Sequence, residues 1–188
     1  MVSVAAEDKT VLENLMQLYQ YDFSDVRGYD VTPHGTCVYR FLDYYFTEDG
    51  REACFIRIDG TLAGFSMTRA VDQGVREVSE FFVLRRHRRL GAGRAAARLM
   101  FQRHPGPWAL AFDSANHNAA RFWPGVIAGV ADGPVQCEER HPPDAAYSRS
   151  WFRFRIAAAD EEAQHQPDVA VDGPLGDCQA ARARAGTA

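Results

Sequence analysis

The sequence predicts an α/β (α+β) domain in which helices flank a β-sheet, and three observations support this fold class. Two β-prone runs within 51–69 are joined by Asp59-Gly60, a strong signal for an antiparallel hairpin. A third apolar run, 75–84, leads through a basic turn into an alanine-rich segment with helical spacing. An alternating apolar and polar run, 147–156, is typical of a further strand.

The first third of the chain is predicted to be helical at both ends. Leucine, methionine and tyrosine recur at helical spacing from Thr10 to Gln20, with Thr10 as the N-cap and Glu13 completing a capping box. An irregular polar and aromatic connection follows, marked by glycine and proline. A short second helix or turn is predicted over 41–46.

The remaining elements alternate between strand and helix. The segment 91–103 has alanine, leucine and methionine on one face, so this helix is expected to pack on a sheet. The other predicted elements are a strand over 51–58, a strand over 62–69, a strand over 75–84, a buried strand over 108–112, a helix over 116–123 ended by Pro124-Gly125, and strands over 126–139 and 147–156.

Length and composition indicate one domain, 1–156, followed by a tail. The chain has 188 residues, of which 46% are hydrophobic, so it can bury one sizeable core. Residues 157–188 are acidic and alanine-rich with no aromatic residue, and such a segment is expected to be disordered. The sequence has no apolar run long enough to span a membrane and does not begin like a signal peptide, which predicts a soluble, cytoplasmic protein.

The four cysteines, Cys37, Cys54, Cys137 and Cys178, indicate neither a disulfide framework nor a metal site. They lie far apart, form no C-x-x-C pair and have no histidine at the spacing of a metal ligand. We therefore expect reduced thiols and no bound metal.

The charge of the predicted domain is unevenly divided along the chain. Residues 1–80 carry 14 acidic and seven basic residues, whereas residues 81–156 carry five acidic and 12 basic ones. If this asymmetry survives folding, one side suits an anionic ligand and the other a cationic one. Ordinary solvated surface charge explains it equally well.

The segment from Val78 to Arg94, VSEFFVLRRHRRLGAGR, predicts a binding site for phosphate. It joins a strand, a basic turn, two glycines and a helix, so helix N-terminal N–H groups and a closely approaching backbone face one point. A Walker A loop is excluded because the segment has no lysine, and the dinucleotide pattern G-x-G-x-x-G fits poorly because Ala96 replaces the last glycine. A nucleic-acid patch at the basic run is disfavoured, because the protein is acidic overall and has no second basic cluster.

Two short patterns in this region resemble signatures of the GNAT family of N-acetyltransferases. The acyl-CoA signature [QR]-x-x-G-x-[GA] is matched by Arg88 to Gly93, directly after a strand. The second signature, N-x-x-A followed by a hydrophobic and an aromatic residue, is matched by Asn116, Ala119, Phe122 and Trp123, one helix and one strand later. The resemblance covers 7–156 and implies a single GNAT domain with a mixed, mostly antiparallel central sheet.

The resemblance also implies acetyl-CoA as the cofactor and the residues that bind it. The strand end 81–83 would pair with the pantetheine arm, the amides of 89–94 would hold the pyrophosphate, and Asn116 would bond the pantetheine. The complete expected set is Phe81, Phe82, Val83, Arg88, Arg89, Leu90, Gly91, Ala92, Gly93, Arg94, Asn116, Ala119 and Trp123. Arg85, Arg86 and Arg89 all remain candidates for the 3′-phosphate.

Acetyl transfer needs a group that keeps the amine neutral and a donor that polarises the thioester. We expect Glu80 to be the general base, with a structural carboxylate paired to an arginine as the alternative, and the N–H of Val83 to be the donor. Strand alternation separates Glu80 from the face of Phe81 and Val83, so a bulge is required to join them. Family members often have a tyrosine that protonates the thiolate where this chain has Trp123, which leaves Tyr147 or solvent for that step.

The acceptor is expected to be a small cationic amine that enters from the N-terminal side. The predicted ligands are Tyr21, Asp22, Asp25, Tyr45 and Asp113, whose carboxylates and aromatic faces suit a hydroxylated cation. The Tyr-x-Tyr-Asp-Phe run at 19–23 resembles aminoglycoside 2′-N-acetyltransferases of the kasugamycin-inactivating kind. A protein or peptide acetyltransferase and a non-catalytic CoA sensor remain alternatives. No nucleic-acid or membrane partner is expected, and a homodimer is left open.

Overall fold

The computed structural model describes residues 1–28, 30–143 and 148–158. These residues form four α-helices and a seven-stranded sheet. The helices are α1 (Lys9–Arg27), α2 (Tyr44–Thr47), α3 (Ala92–Gln102) and α4 (His117–Ala128). The strands are β1 (Val2–Ser3), β2 (Arg51–Ile58), β3 (Thr61–Ala70), β4 (Arg76–Val83), β5 (Gly106–Asp113), β6 (Gln136–Arg140) and β7 (Arg149–Ile156).

The sheet is mixed and mostly antiparallel, with the order β1-β2-β3-β4-β5-β7-β6. Only β4 and β5 are parallel among the described strands, because α3 carries the chain back across the sheet between them. The predicted single α+β domain with a mostly antiparallel sheet is therefore confirmed.

The sheet opens between its two parallel strands. β4 and β5 pair only from Arg76 opposite Trp108 to Val78 opposite Leu110. Beyond these pairs, β4 continues to Val83 and β5 to Asp113 without facing partners in each other. We call the resulting space between residues 79–83 and 111–113 the wedge.

A β-bulge in β4 sets the direction of the side chains that border the wedge. Thr68 of β3 pairs with Val78, and the next residue, Met67, pairs with Glu80, so Ser79 is the extra residue. Val78 packs in the core under α3 and α4, whereas Glu80 contacts tyrosines on the α1 side. Without the extra residue, these two side chains would lie on the same face.

Each face of the sheet has its own apolar core. The core on the α1 side includes Leu12, Leu15, Met16, Leu42, Tyr45, Ala53, Phe55, Phe65, Met67 and Phe82. The core on the α3 and α4 side includes Val78, Ala97, Met100, Phe101, Trp108, Leu110, Phe112, Trp123, Val126, Ile127, Phe152, Phe154 and Ile156. Residues of β5 and β7 belong only to the second core.

The first helix is longer than predicted and starts differently. A 3-10 turn at Ala6–Asp8 runs directly into α1, and Asp8 precedes the helix without a capping side-chain bond. The predicted capping box at Thr10 is therefore wrong, since Thr10 already lies inside the helix. α1 continues to Arg27 and ends at Gly28, whose φ of 63° suits glycine.

The predicted end of α4 at Pro124 is wrong as well. The helix continues through Pro124 to Ala128, and Val126 and Ile127 in its last turn are each only 1% exposed. Their burial outweighs the hydrogen bond that proline removes. The predicted strand over 126–139 is correspondingly reduced to β6.

The other predicted strands agree with the structure to within two residues at each end. In the hairpin between β2 and β3, Asp59 and Gly60 have φ angles of 49° and 76°, as a tight two-residue turn requires. The predicted tail begins at 157, and residues 159–188 lie outside the described part of the chain. None of the helices in the described part is long and apolar enough to cross a membrane.

Candidate active site

We call residues 88–94 at the start of α3, where the sequence predicts a phosphate site, the anion cradle. Arg89 and Gly91 both have positive φ angles, 64° and 82°, so the backbone adopts the left-handed conformation twice just before the helix. Glycine adopts this conformation freely, whereas Arg89 does so at a cost that is typical of functional loops. The first backbone bond of the helix runs from Ala95 to Gly91, which leaves the amides of 92–94 ahead of it.

The arginine that begins the first signature is held by protein groups. The Nε of Arg88 donates to the carbonyl of Val83 at 2.6 Å, and its Nη2 donates to Asp22 of α1. Arg85 donates to the other oxygen of Asp22 at 2.6 Å. Burial acts to raise the pKa of Asp22, but the bonds from Arg88 and Arg85 outweigh it and lower that pKa.

The end of β4 presents a backbone donor to the wedge. The N–H of Leu84 donates to the carbonyl of Ala63 at 2.8 Å, so the N–H of Val83 points to the opposite side of the strand. Gly64 pairs with Val83, and a Cβ at Gly64 would lie 2.0 Å from the carbonyl oxygen of Phe82. Glycine is therefore required at this position for β3 and β4 to approach each other.

Aromatic side chains line the α4 side of the same strand. Phe81 stacks on Phe122 with ring centroids 5.9 Å apart and meets the edge of Trp123 at 5.2 Å. Trp123 is 7% exposed and also packs on Phe101 in the core. Its indole thus fills the interior.

Asn116 of the second signature begins α4. Its side-chain oxygen accepts a hydrogen bond from the N–H of Ala119 at 3.0 Å, which makes Asn116 the N-cap of the helix. The signature N-x-x-A therefore has a local structural reason, because the cap and its donor are three residues apart.

Glu80 lies on the α1 side of β4, and two tyrosines bond its carboxylate. Tyr19 of α1 donates to one oxygen at 2.5 Å, and Tyr39 donates to the other at 3.1 Å. Burial raises the pKa of Glu80, and the two hydrogen bonds partly oppose this increase. The expected bulge is present in β4, but Glu80 remains on the face of Phe82 and does not reach that of Phe81 and Val83.

Three tyrosines surround this carboxylate. Burial raises the pKa values of Tyr19, Tyr39 and Tyr45, and the negative charge of Glu80 adds to each increase. Their hydroxyls therefore remain protonated and can donate. Tyr45, a predicted acceptor ligand, is 8% exposed and packs within the α1-side core.

The other predicted acceptor ligands divide into paired and exposed groups. Asp22 holds the two arginines described above, and the buried Asp113 accepts from Arg27 at 2.5 Å and from Arg149 at 3.1 Å. Tyr21 and Asp25 lie one turn apart on the exposed face of α1. The structure does not bring these residues together at one point.

Sequence reasoning missed the two tyrosines that bond Glu80, because both are far from it in the sequence. Tyr39 comes from the irregular loop before α2 and is 41 residues from Glu80, and no local pattern predicts such a contact. Tyr19 enters the sequence analysis only as the first residue of the Tyr-x-Tyr-Asp-Phe run. Its place three residues after Met16 on the inner side of α1 is the one signal available in the sequence.

Within the described residues, no group of three or more His, Cys, Asp or Glu side chains is arranged to hold a metal ion. Cys37, Cys54 and Cys137 are free thiols.

A strand end that opens beside the anion cradle, with the half-buried Glu80 carboxylate on the same strand, is the arrangement expected of an acyl-CoA-dependent acyltransferase. Residues 12–124 match the family model described as the acetyltransferase (GNAT) family. The chain therefore belongs to the GNAT family and is an N-acetyltransferase that uses acetyl-CoA. No curated protein matches the sequence significantly.

Solved structures share this fold at low sequence identity. An acetyltransferase from Thermus thermophilus has a TM-score of 0.59 at 15% identity, covering 82% of this chain and 95% of the other. A GNAT acetyltransferase from Staphylococcus aureus has a TM-score of 0.53 at 12% identity, covering 82% and 96%. A spermidine N-acetyltransferase chimera from Vibrio cholerae has a TM-score of 0.54 at 11% identity, covering 82% and 95%.

Proposed function

We propose that this N-acetyltransferase acetylates a primary amine of a small cationic molecule, with Glu80 as the general base. The observation that carries the proposal is the Glu80 carboxylate on β4, which is half-buried and hydrogen-bonded by Tyr19 and Tyr39. The best candidate acceptor is an amino sugar of the aminoglycoside class, of the kasugamycin type.

The residues around the wedge fit acetyl-CoA. The positive φ angles of Arg89 and Gly91 and the amides at the start of α3 provide donors for the pyrophosphate. Arg94 and Arg98 line a shallow groove along α3 and add positive charge. The backbone of 81–83 borders the unpaired side of β4, where an arm with its own amides can be bonded as by a strand edge.

The other predicted cofactor residues have supporting roles in this proposal. Arg88 bonds the carbonyl of Val83 at the end of β4, and Gly93 lies beside Phe122, where a Cβ would be 3.4 Å from the ring. Leu90 lies between the two residues with positive φ angles, and Ala92 is the first residue of α3. The hydrogen bond from the N–H of Ala119 to Asn116 caps the start of α4. Trp123 packs against Phe81 in an edge-to-face contact.

Acetyl-CoA supplies an acetyl group that is activated as a thioester. A carboxylate of Glu80 accepts a proton from the acceptor ammonium, directly or through a water, so that the amine is neutral. The N–H of Val83 stabilises negative charge that develops on an oxygen in the wedge. Protonation of the leaving thiolate is left to solvent or to Tyr147, which lies outside the described residues.

The charge distribution supports a cationic acceptor. The N-terminal 80 residues are rich in acids, and Tyr21 and Asp25 are exposed on α1. Asp22 and Asp113 support α1 through arginines, so we propose for them a structural role beside the acceptor rather than direct contact. Tyr45 completes the tyrosine environment of Glu80.

The test is an assay that follows the free thiol released from acetyl-CoA. Candidate acceptors are kasugamycin and other aminoglycosides, spermidine, and peptides with a free lysine or N-terminus. Turnover with an aminoglycoside, with the acetylated product identified by mass, supports the proposal. Turnover with peptides alone would overturn the small-molecule acceptor, and CoA-induced thermal stabilisation without any turnover would instead identify a CoA sensor.

A further inference from the structure

The connection between α1 and α2 has little regular structure but is tied to α1 at one point. The side-chain oxygen of Gln17 accepts the N–H of Cys37 at 2.7 Å, and its amide donates to the carbonyl of the same residue at 3.0 Å. These two bonds satisfy both backbone groups of Cys37, as a neighbouring strand would. We call this pair of bonds the Gln17 clasp.

The loop residue that bonds Glu80, Tyr39, lies close to the clasp in the sequence. Tyr39 is two residues beyond Cys37, and its hydroxyl donates to the carboxylate oxygen that Tyr19 leaves open. Tyr19 belongs to a regular helix, whereas residues 37–40 belong to no helix or strand. The clasp therefore ties the loop to α1 two residues before Tyr39.

We propose that Gln17 is a positioning residue for the acetyl transfer, because its clasp on Cys37 holds the Tyr39 hydroxyl on Glu80. This inference rests on the proposed role of Glu80 as the base. It assigns a task in the reaction to a side chain that contacts neither the carboxylate nor the wedge.

The side chains that face Glu80 show how the clasp would affect the pKa of this carboxyl. They are Tyr19 and Arg27 of α1, Tyr39 of the loop, Tyr45 of α2 and Arg69 of β3. Burial raises the pKa of Glu80, while the hydrogen bonds from Tyr19 and Tyr39 and the two arginines lower it. Loss of the bond from Tyr39 removes one of the lowering contributions, so the carboxyl would titrate at a higher pH.

A merely structural role for Gln17 predicts something different. In that case, loss of the clasp would lower the thermal stability of the protein and leave the titration of Glu80 unchanged. The decisive measurement is therefore the pH dependence of kcat/KM, together with the titration of the labelled Glu80 carboxyl by NMR in the full-length protein.

The test compares Gln17→Ala and Tyr39→Phe with a matched control, Thr32→Val. Thr32 bonds Thr36, the residue before Cys37, so this variant loosens the same loop without removing either bond of the clasp. We expect Gln17→Ala and Tyr39→Phe each to move the acid limb of the kcat/KM profile upward by about one pH unit. The midpoint of the Glu80 titration in the NMR experiment should move by the same amount. The double variant should move them no further, because both changes remove the same bond. Thr32→Val should leave both at the wild-type pH.

Each other outcome has a defined meaning. If Tyr39→Phe raises the titration of Glu80 and Gln17→Ala leaves it at the wild-type pH, the positioning role of Gln17 is wrong. Gln17→Leu removes both bonds of the clasp without adding a charge and serves in the same comparison if Gln17→Ala does not fold. If Glu80→Gln retains the wild-type rate, the base assignment fails, but the NMR titration still decides whether the clasp acts on Glu80.

Discussion

Among single residues, Glu80 combines two properties that oppose each other. Its carboxylate is hydrogen-bonded well enough to have a defined position, yet burial raises its pKa. A general base benefits from a pKa near the working pH, whereas the folded protein must bury a charge when that base ionises. We therefore expect Glu80 to limit stability and to support activity.

Glu80→Gln should lower kcat by about 10²- to 10⁴-fold, since the amide cannot accept the proton. Because the folded-state pKa of Glu80 is raised, its favourable contribution is present at low pH and is lost as the pH rises through the folded-state pKa. The Tm of Glu80→Gln relative to wild type should therefore increase with pH. Calorimetry and steady-state kinetics across the pH range check both expectations.

The matched control is Glu77→Gln on the same strand, where the carboxylate pairs with Arg69 near the surface. It should retain kcat close to that of the wild type. Equal losses in the two variants would indicate damage to β4 rather than removal of a base.

Gly64 is the second residue with a strict requirement. A methyl group at Gly64 would overlap the carbonyl of Phe82, so Gly64→Ala should lower the free energy of unfolding by about 3 kcal/mol. Gly60→Ala is the control, because Gly60 also has a positive φ but faces open space. It should cost only about 1 kcal/mol, measured by urea denaturation. Similar costs at the two positions would contradict the overlap.

Among the elements, α1 connects the two sides of the wedge. Asp22 bonds Arg85 and Arg88 next to the end of β4, and one turn later Arg27 bonds Asp113 at the end of β5. Tyr19 reaches Glu80 one turn earlier. A single helix therefore contacts the anion cradle, the proposed base and the far strand.

Asp22→Asn should weaken CoA binding, because Arg88 would lose the carboxylate that helps to hold it against Val83. We expect the Kd for CoA to rise about fivefold, as for loss of a partly exposed ion pair. Asp25→Asn, on the exposed face of the same helix, should leave the Kd unchanged. Titration calorimetry checks this expectation. If Asp22→Asn left the Kd for CoA unchanged and raised the KM for the acceptor, Asp22 would be assigned to acceptor binding instead.

Local patterns predicted the elements better than the contacts between them. The hairpin at Asp59-Gly60 and the helix after Gly91 follow from turn chemistry and periodicity, which act over a few residues. Pro124 was misread because the burial of Val126 and Ile127 is a tertiary effect. The same limit applies to the site, since the bond between Arg88 and Asp22 spans 66 residues and leaves no local signal.

For the whole molecule, Glu52 of β2 ties the sheet to the end of α3. It accepts from Arg103 at 2.5 Å and from His104 at 2.8 Å. Burial acts to raise the pKa of Glu52, but the bonds from Arg103 and His104 outweigh it, so that the pKa is lowered. The carboxylate therefore stabilises the fold most above its ordinary pKa of 4.5.

Glu52→Gln should lower the free energy of unfolding by about 1 kcal/mol at neutral pH, where the Glu52 carboxylate is ionised. The difference from wild type should shrink as the pH falls below 4.5 and vanish below the folded-state pKa of Glu52. Glu48→Gln is the control, because Glu48 pairs with Arg51 at the surface. A difference that is constant with pH would exclude ionisation of Glu52 as its source.

The short pairing between β4 and β5 has a consequence for how the protein responds to its cofactor. Within the described part of the chain, strands β1 to β4 and strands β5 to β7 are joined in the sheet only through residues 76–78 and 108–110. A ligand whose amides bond the free edge of β4 would act as an additional strand across this narrow junction. Binding would then slow hydrogen exchange far from the ligand, in both halves of the sheet, because the two halves would open less often as separate units.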